Sequence, residues 1–247
     1  MEQKLELRVN PEPVVEWWQI TDEHQCLVID DFLLNPGDVV AYAAAQEGGF
    51  AMPQRAYPGK LLPLHDGQTH EMHRFVKNRL SRAFSFLRGE IETYTQLSLT
   101  TMQPGDEEFS WIQQIPHCDP QFAEGRANYA AMIFLFDNQA LGGTAFYRWK
   151  DPRFWQELTA LQSENPEGVM DVLRERYETF RNPPAYTTES NGVVDLLAMV
   201  PAQFNRLICY SGDLPHSAFI TDPELLSEDA TRGRLTLNCF ASAWPKQ

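Results

Sequence analysis

The chain has no hydrophobic run long enough to cross a bilayer and few basic residues to balance its acidic ones. No apolar stretch approaches the roughly 20 residues that span a membrane, and the N-terminal residues MEQKLELRVN lack the order of a signal peptide. Twenty Lys and Arg against 34 Asp and Glu give a formal charge of −14. We therefore expect neither nucleic acid nor a membrane surface as a partner.

Cysteine is also scarce and is not arranged for metal binding. The four cysteines form no CxxC pair and match no zinc-finger spacing. A chain of 247 residues buries enough surface to fold without disulfide or zinc staples. We therefore expect reduced thiols and a cytoplasmic protein.

Helical patterns occupy the first part of the chain. Residues 1–13, which end in NPEP, predict a loose arm that could exchange between the subunits of a homodimer. NPGDVVAYAAAQ predicts a helix capped by Asn35, and apolar residues recur at helical spacing from Thr69 to Leu87. AYPGKLLPLHDG, between these helices, predicts a loop.

The rest of the chain predicts a sheet with one helical interruption. The strand patterns are YTQLSLTTMQ, FSWIQQIPH, NYAAMIFLFD, GGTAFYRW, RLICYSGDLPHSAF and RGRLTLNCFA. Residues 150–192 carry two predicted helices, which form either a lid over a pocket or a helical hairpin with no role in function. We predict one domain over residues 1–247, mainly β with flanking helices.

The stretch QIPHCDPQF carries the first candidate metal ligands. On extended backbone His117 and Asp119 point the same way, and Cys118 faces away. A third ligand would complete one face of a six-coordinate metal, and two histidines with one carboxylate are the donor set of non-haem iron(II) sites. Of the six histidines, His216 in YSGDLPHSAF lies at the end of a predicted strand and is our candidate.

The closing strand carries a candidate anion receptor. In RGRLTLNCF, Arg234 and Thr236 share one face, and Leu235 and Leu237 take the other. A buried guanidinium beside a hydroxyl can bind both oxygens of a carboxylate. Arg232 is the alternative to Arg234.

Taken in order, His117-x-Asp119, the strand GGTAFYR, His216 and Arg234-x-Thr236 resemble the iron(II)/2-oxoglutarate-dependent oxygenases. The resemblance is greatest to the prolyl-hydroxylase-like branch, and within it to a bacterial family of uncharacterised proteins. It implies a double-stranded β-helix, or jelly roll, in which His117, Asp119 and His216 hold iron(II). It also implies that 2-oxoglutarate chelates the metal and that Arg234, helped by Thr236, binds its far carboxylate.

The resemblance further implies a hydroxylation that consumes dioxygen and yields succinate. The substrate would be an amino-acid side chain on a peptide or protein, which the branch favours, or a free small molecule. Many hydroxylases of this branch use a tyrosine on the strand before HxD to hold 2-oxoglutarate. LTTMQPGDEEF has no tyrosine there, so Tyr94, Tyr129 or Tyr147 would have to replace it.

Two other interpretations stay open. The chain could be a cupin-like jelly roll that binds metal as a binding or sensor module without oxygenase activity, or a structural β protein without metal.

The remaining features favour ordinary roles: HEMH lies on the surface, four tryptophans (Trp17, Trp18, Trp111 and Trp149) lie in the core, and GG at 142–143 makes a turn. Asn128 and Arg148 lie near strand ends that could face a pocket.

Overall fold

The computed structural model describes residues 5–53, 57–80, 84, 88–119 and 125–244, with the side chains of all of these except residues 88–90. Ten strands in two sheets form the centre of this part of the chain, and helices pack on the outside. Within the described residues, no helix combines the length and apolar character needed to span a membrane.

The larger sheet has seven antiparallel strands. In chain order they are β1 (Val14–Gln19), β2 (Gln25–Asp30), β3 (Gly59–Pro63), β4 (Arg88–Thr100), β5 (Ala127–Phe134), β8 (Leu207–Ser211) and β10 (Arg234–Trp244). Their order across the sheet is β1-β2-β8-β5-β10-β4-β3. The apolar run at β5 therefore lies near the centre of the sheet, as its sequence predicts.

The smaller sheet lies against the larger one. It contains β6 (Gly143–Trp149), β7 (Val194–Pro201) and β9 (His216–Phe219) in the order β7-β6-β9, and His117 extends it through an antiparallel bridge to His216. From β4 onward, successive strands alternate between the two sheets apart from the step from β6 to β7, if the bridging segment at His117 is counted between β4 and β5. This is the topology of a double-stranded β-helix, and the predicted fold class is confirmed.

Helices cover the outer face of the larger sheet. They are α1 (Pro36–Ala45) and α2 (Asp66–Phe75), which continues into a π-helical turn at Val76–Leu80. Val39 and Met72 of these helices are fully buried in one cluster with Leu237 of β10. Burial of apolar area at about 25 cal/mol per Å² is the main term that fixes this layer.

A second core lies between the sheets and a third lies outside the smaller sheet. Met132, Phe134 and Phe146 belong to the inner cluster. The helical insertion forms α4 (Phe154–Glu164) and α5 (Val169–Arg176), which follow the short helix α3 (Trp111–Gln114). Phe154 and Leu173 pack with Tyr147 on the outer face of the smaller sheet. The predicted insertion is thus two helices that cover that outer face.

The prediction of a loose N-terminal arm is wrong where the structure describes it. Leu5 and Leu7 are 3% and 0% exposed and join the outer core, and the backbone N–H of Leu7 donates to the carbonyl of Gln68. Two leucines at alternate positions of an otherwise polar stretch bury themselves because the helices leave an apolar groove. Residues 1–4 lie outside the described part of the chain.

Three further predictions from the sequence are wrong, namely a loop, a strand and a helix cap, and one strand was missed. AYPGKLLPLHDG contains strand β3, and FSWIQQIPH contains helix α3, whose start is fixed by Ser110 donating from its backbone N–H to the side chain of Gln113. Strand β7 was not predicted at all. Asn35 precedes α1, but its amide bonds Glu6 and Asp38 instead of capping the helix.

Candidate functional site

Two backbone pairings bring three distant side chains together. His117 and His216 each donate a backbone N–H to the other's carbonyl at 2.9 Å, and the N–H of Asp119 donates to the carbonyl of Gly212 at 2.8 Å. The ligand atoms of His117, Asp119 and His216 then lie within 4.8 Å of one another. Within the described residues, this is the one group of three such side chains that could hold a metal ion.

Cys118 points away from this group, as expected for the middle residue of an extended segment. Its thiol donates to the carbonyl of Asp213 at 3.2 Å. Burial raises the pKa of the Cys118 thiol to about 11, so the group stays protonated near neutral pH. Cys118 is not part of the group of potential metal ligands.

The tautomer of His216 is set by its neighbours. Its Nδ1 lies 2.8 Å from the carbonyl oxygen of Leu214, which can only accept, so Nδ1 carries the proton. Nε2 lies 3.7 Å from an oxygen of Asp119 and keeps its lone pair. The ring of Tyr210 packs edge-on against His216 at 4.8 Å between centroids and fixes its plane.

Burial determines the charge of the group. Desolvation lowers the pKa of both His117 and His216 to about 4, and it raises the pKa of Asp119 to about 6. Near neutral pH the group is two neutral imidazoles and one carboxylate, so the His216–Asp119 contact is not an ion pair.

The donor set fits a divalent cation. Oδ2 of Asp119 is buried without a hydrogen-bond partner in the described part of the chain, a costly arrangement for an anion. A metal bound between the imidazoles and the carboxylate would use these lone pairs and neutralise the charge. Residue 212 is glycine because a Cβ there would lie 2.9 Å from Cβ of Asp119.

A buried guanidinium lies farther inside the barrel. Arg234 is 3% exposed and donates to the carbonyls of Leu141 and Gly143 and, at 3.3 Å, to the hydroxyl of Thr100. No Asp or Glu among the described residues forms an ion pair with it. A buried cation without a paired carboxylate is costly, and an anionic ligand would offset that cost. The alternative, Arg232, is at the surface and pairs with Asp229.

Hydroxyl groups surround this guanidinium. Tyr57, which sequence reasoning missed, lies within 2.9 Å of the hydroxyl of Thr100. Burial raises the pKa of Tyr57, while the charge of Arg234 and bonds to Thr236 act against that rise. Thr236 itself lies 3.5 Å from the carbonyl of Ser98. The lining of the pocket is therefore one cation and several neutral donors.

None of the three tyrosines predicted to complete this pocket does so. Tyr94 is 42% exposed, Tyr129 packs against Phe84, and the hydroxyl of Tyr147 donates to the carbonyl of Thr187 at 2.6 Å. Tyr57, which precedes β3, lies beside Thr100 and near Arg234 because β3 pairs with β4.

Tyr210 joins the two parts of the site. Its buried hydroxyl has its pKa raised well above the ordinary value by desolvation and by the charge of Asp119, while Arg234 acts in the opposite direction. It is therefore near both the metal-binding group and the guanidinium. The candidate site therefore consists of three potential metal ligands and a buried guanidinium, with Tyr210 near both.

The other residues singled out in the sequence are partly buried in the core and partly exposed. Asn128 is 2% exposed and faces the barrel interior, whereas Arg148 is exposed and pairs with Asp195. His70 is exposed as predicted, and His73 bonds Thr95 instead. Of the predicted core tryptophans, Trp111 is 7% exposed, but Trp17 is 42% exposed on the edge strand β1.

Comparisons with known proteins give a family and a set of similar structures. Residues 11–241 match the model of a family of unknown function, DUF6445, and the chain belongs to that family. A search of curated proteins found no match. Solved structures show low similarity throughout.

One similar structure is HygX from Streptomyces hygroscopicus with nickel and 2-oxoglutarate bound, at 10% identity and a TM-score of 0.44, covering 89% of this chain and 82% of that one. Another is the viral collagen prolyl hydroxylase of Paramecium Bursaria Chlorella virus-1 with 2-oxoglutarate, at 11% identity and a TM-score of 0.44, covering 88% and 95%. A third is EvdO2 from Micromonospora carbonacea var. aurantiaca with 2-oxoglutarate, at 10% identity and a TM-score of 0.41, covering 96% and 95%.

Proposed function

We propose that this member of the DUF6445 family is an iron(II)- and 2-oxoglutarate-dependent dioxygenase that hydroxylates an organic substrate. One observation carries the proposal. A buried group of two neutral histidines and a carboxylate with a partnerless oxygen lies between the sheets, as does a buried arginine that has no acidic partner in the described residues.

His117, Asp119 and His216 would hold the iron. Three protein ligands on one face leave positions for a chelating cosubstrate, which is how such sites differ from closed structural ones. When bound, iron and 2-oxoglutarate supply the oxidising power, with dioxygen consumed and succinate formed. The carbonyl of Leu214 keeps the proton of His216 on Nδ1, so that Nε2 is always available to the metal.

Arg234 would bind the far carboxylate of 2-oxoglutarate, helped by Thr236 and by Tyr57. The guanidinium is held by backbone carbonyls, so its orientation is set before the ligand arrives. The carboxylate would accept from the guanidinium and from the two hydroxyls. With Tyr57 in this position, the absence of a tyrosine before HxD no longer favours a metal-binding module without activity.

The protein would also protect the reaction from water. Tyr210, Phe146 and Met132 enclose the volume between the sheets. A dry cavity strengthens the interaction between Arg234 and a bound carboxylate, and it limits side reactions. The free thiols Cys26, Cys118, Cys209 and Cys239 support a reducing, cytoplasmic setting as part of the proposal.

Succinate production tests the proposal. The protein is supplied with iron(II), ascorbate, 2-oxoglutarate and air, and slow turnover of 2-oxoglutarate is expected even without substrate. Arg234→Met should remove this turnover at ordinary 2-oxoglutarate concentrations, and Arg232→Met, a matched change at the surface, should leave it intact. Equal turnover in both variants would rule out Arg234 as the receptor.

A further inference from the structure

The inward face of the larger sheet continues past the metal-binding group toward the open end of the barrel. We name this surface the trough and define it by inward-facing residues of three adjacent strands: Tyr94 and Gln96 of β4, Asn238, Phe240 and Ser242 of β10, and Asn128 of β5. Phe240 is opposite Tyr94, and Tyr94 is 42% exposed. The smaller sheet therefore does not cover the trough at this point.

The trough begins at the metal-binding group. A Cβ built on Gly212 would lie 2.9 Å from Cβ of Asp119 and 3.3 Å from Cβ of Asn128. Asn128 and Asp119 are thus neighbours across one glycine. A molecule lying in the trough would present one end to the metal position.

Two buried polar atoms in the trough lack a partner in the described part of the chain. They are Oδ1 of Asn238 and Oγ of Ser242. The amide of Asn238 is oriented by donating to Oγ of Ser98 at 2.7 Å, which leaves its oxygen as an acceptor. Partnerless buried acceptors are costly and uncommon, so each calls for a ligand or water.

2-Oxoglutarate cannot satisfy Asn238. As a dianion with a keto group it carries only acceptors, and the oxygen of Asn238 needs an N–H or O–H donor. The donor must therefore come from another molecule. It is water until a substrate with an O–H or N–H group displaces it.

The surface between these two atoms is aromatic. Phe240 lies between Asn238 and Ser242 on the same face and is partly exposed, beside Tyr94. Residues four apart on a strand are separated by roughly 13 Å. Aromatic side chains between two hydrogen-bond acceptors suit a ring compound whose apolar face packs on them.

The charge of the trough disfavours an anionic substrate. Arg126, its buried cation, already pairs with Glu92 and donates to the backbone carbonyl of Ser242 at 2.7 Å. Its guanidinium also lies 5.8 Å from the ring of Trp244. The positive charge is therefore neutralised within the protein.

We propose that the trough binds the substrate and that this substrate is a neutral or cationic ring compound with several O–H or N–H donors, a polyhydroxylated or amino-substituted ring. Asn238 and Ser242 determine its specificity by accepting from those donors. This inference rests on the proposed function, because the metal-binding group is what makes the trough a reaction site.

Matched probes test the inference on the full chain loaded with iron(II) and 2-oxoglutarate. The probes are myo-inositol, D-glucosamine, permethylated inositol and blocked tripeptides. We expect the first two to raise succinate formation above the level without substrate and to gain an oxygen atom by mass spectrometry. Permethylated inositol and the tripeptides should do neither. Stimulation by tripeptides alone, or by no probe at all, would overturn the inference.

Single substitutions test which residues of the trough bind the ring compound. Asn238→Leu and Ser242→Ala should each raise the KM of the stimulating ring compound roughly fivefold or more, with the affinity for 2-oxoglutarate and the melting temperature preserved. Asn238→Asp, which keeps the acceptor, should retain binding of D-glucosamine. Cys239→Ala, on the opposite face of β10, is the control and should leave the KM unchanged.

Two results separate failure of this inference from failure of the proposed function. A fall in 2-oxoglutarate affinity in Asn238→Leu would assign the amide to the cosubstrate pocket and overturn the inference alone. Wild-type protein that binds no 2-oxoglutarate with iron would overturn the proposed function and the inference with it.

Discussion

The two faces of strand β10 differ in almost every physical respect. The outer face carries Leu235, Leu237 and Cys239, all fully buried against the helices. The inner face carries Arg234 and Asn238, polar groups that are buried but not paired with one another. Burial of the apolar outer face lowers the free energy of the folded state, and desolvation of the polar inner face raises it.

The comparison shows how one strand separates stability from function. Because side chains alternate with a period of two, the outer face can anchor the strand within a rigid sheet while the inner face holds costly polar groups in fixed positions. We therefore expect substitutions on the two faces to affect different measurements.

The largest effect is expected at the metal-binding group. His216→Ala should abolish iron-dependent turnover and the rise in melting temperature that iron gives the wild type, because binding only to the folded state stabilises it by mass action. Melting curves with and without iron under anaerobic conditions measure this. An iron-induced shift equal to that of the wild type would exclude His216 as a ligand.

On the inner face of β10, Arg234→Met should weaken 2-oxoglutarate binding by roughly 2–5 kcal/mol, the usual cost of removing one partner from a buried charged contact. Because the substitution also removes a buried charge, the melting temperature without ligand should not fall. Titration of 2-oxoglutarate into the iron-loaded protein tests the first expectation. A large loss of stability with normal affinity would show that Arg234 is structural.

On the outer face, Leu237→Ala should lower the free energy of unfolding by about 2–5 kcal/mol through a cavity in the outer core. The affinity for 2-oxoglutarate should stay the same, since Leu237 does not face the site. Urea unfolding measures the loss of stability, and titration of 2-oxoglutarate into the iron-loaded protein measures the affinity. A matching loss of affinity would contradict the separation of the two faces.

A smaller effect is expected at Tyr57. Tyr57→Phe removes one hydroxyl from the pocket and keeps the ring, so the affinity for 2-oxoglutarate should fall by about 0.5–1.5 kcal/mol. Tyr94→Phe, a matched change at the predicted but exposed tyrosine, should have no effect on this affinity. Equal results for the two variants would remove Tyr57 from the pocket.

The smallest effect concerns pH and lies away from the site. Bonds from Arg206 hold the pKa of Asp30 below its ordinary value, so this pair contributes stability above the unfolded pKa and loses it as pH falls through the folded one. Asp30→Asn should therefore be less stable than the wild type at pH 7, and the difference should shrink toward pH 3 (urea unfolding). A difference that does not change with pH would contradict this assignment.

The resemblance carried by the ordered motifs implied the jelly roll, and the same motifs named the three side chains that the structure brings together. His117-x-Asp119 depends on strand alternation, and Arg234-x-Thr236 depends on the apolar residues between and beyond them. Their spatial meeting then follows from the topology. The assignment of iron and 2-oxoglutarate to these residues stays a prediction.

Tyr57 could not be found in this way because its position depends on pairing between distant strands. The Pro58-Gly59 pair after it predicts a loop, yet Gly59 begins β3, and residue 59 is glycine because a Cβ there would lie 2.1 Å from the carbonyl oxygen of Leu99. Helix α3 had a local signal in Ser110 and Gln113 that the strand prediction overlooked.

The most direct test of the account is an anaerobic titration of the wild-type protein followed by visible absorption. We predict a weak charge-transfer band that requires iron(II) and 2-oxoglutarate together and that His216→Ala and Arg234→Met both remove. Absence of the band in the wild type at saturating concentrations of both would contradict the claim that one interior site binds both.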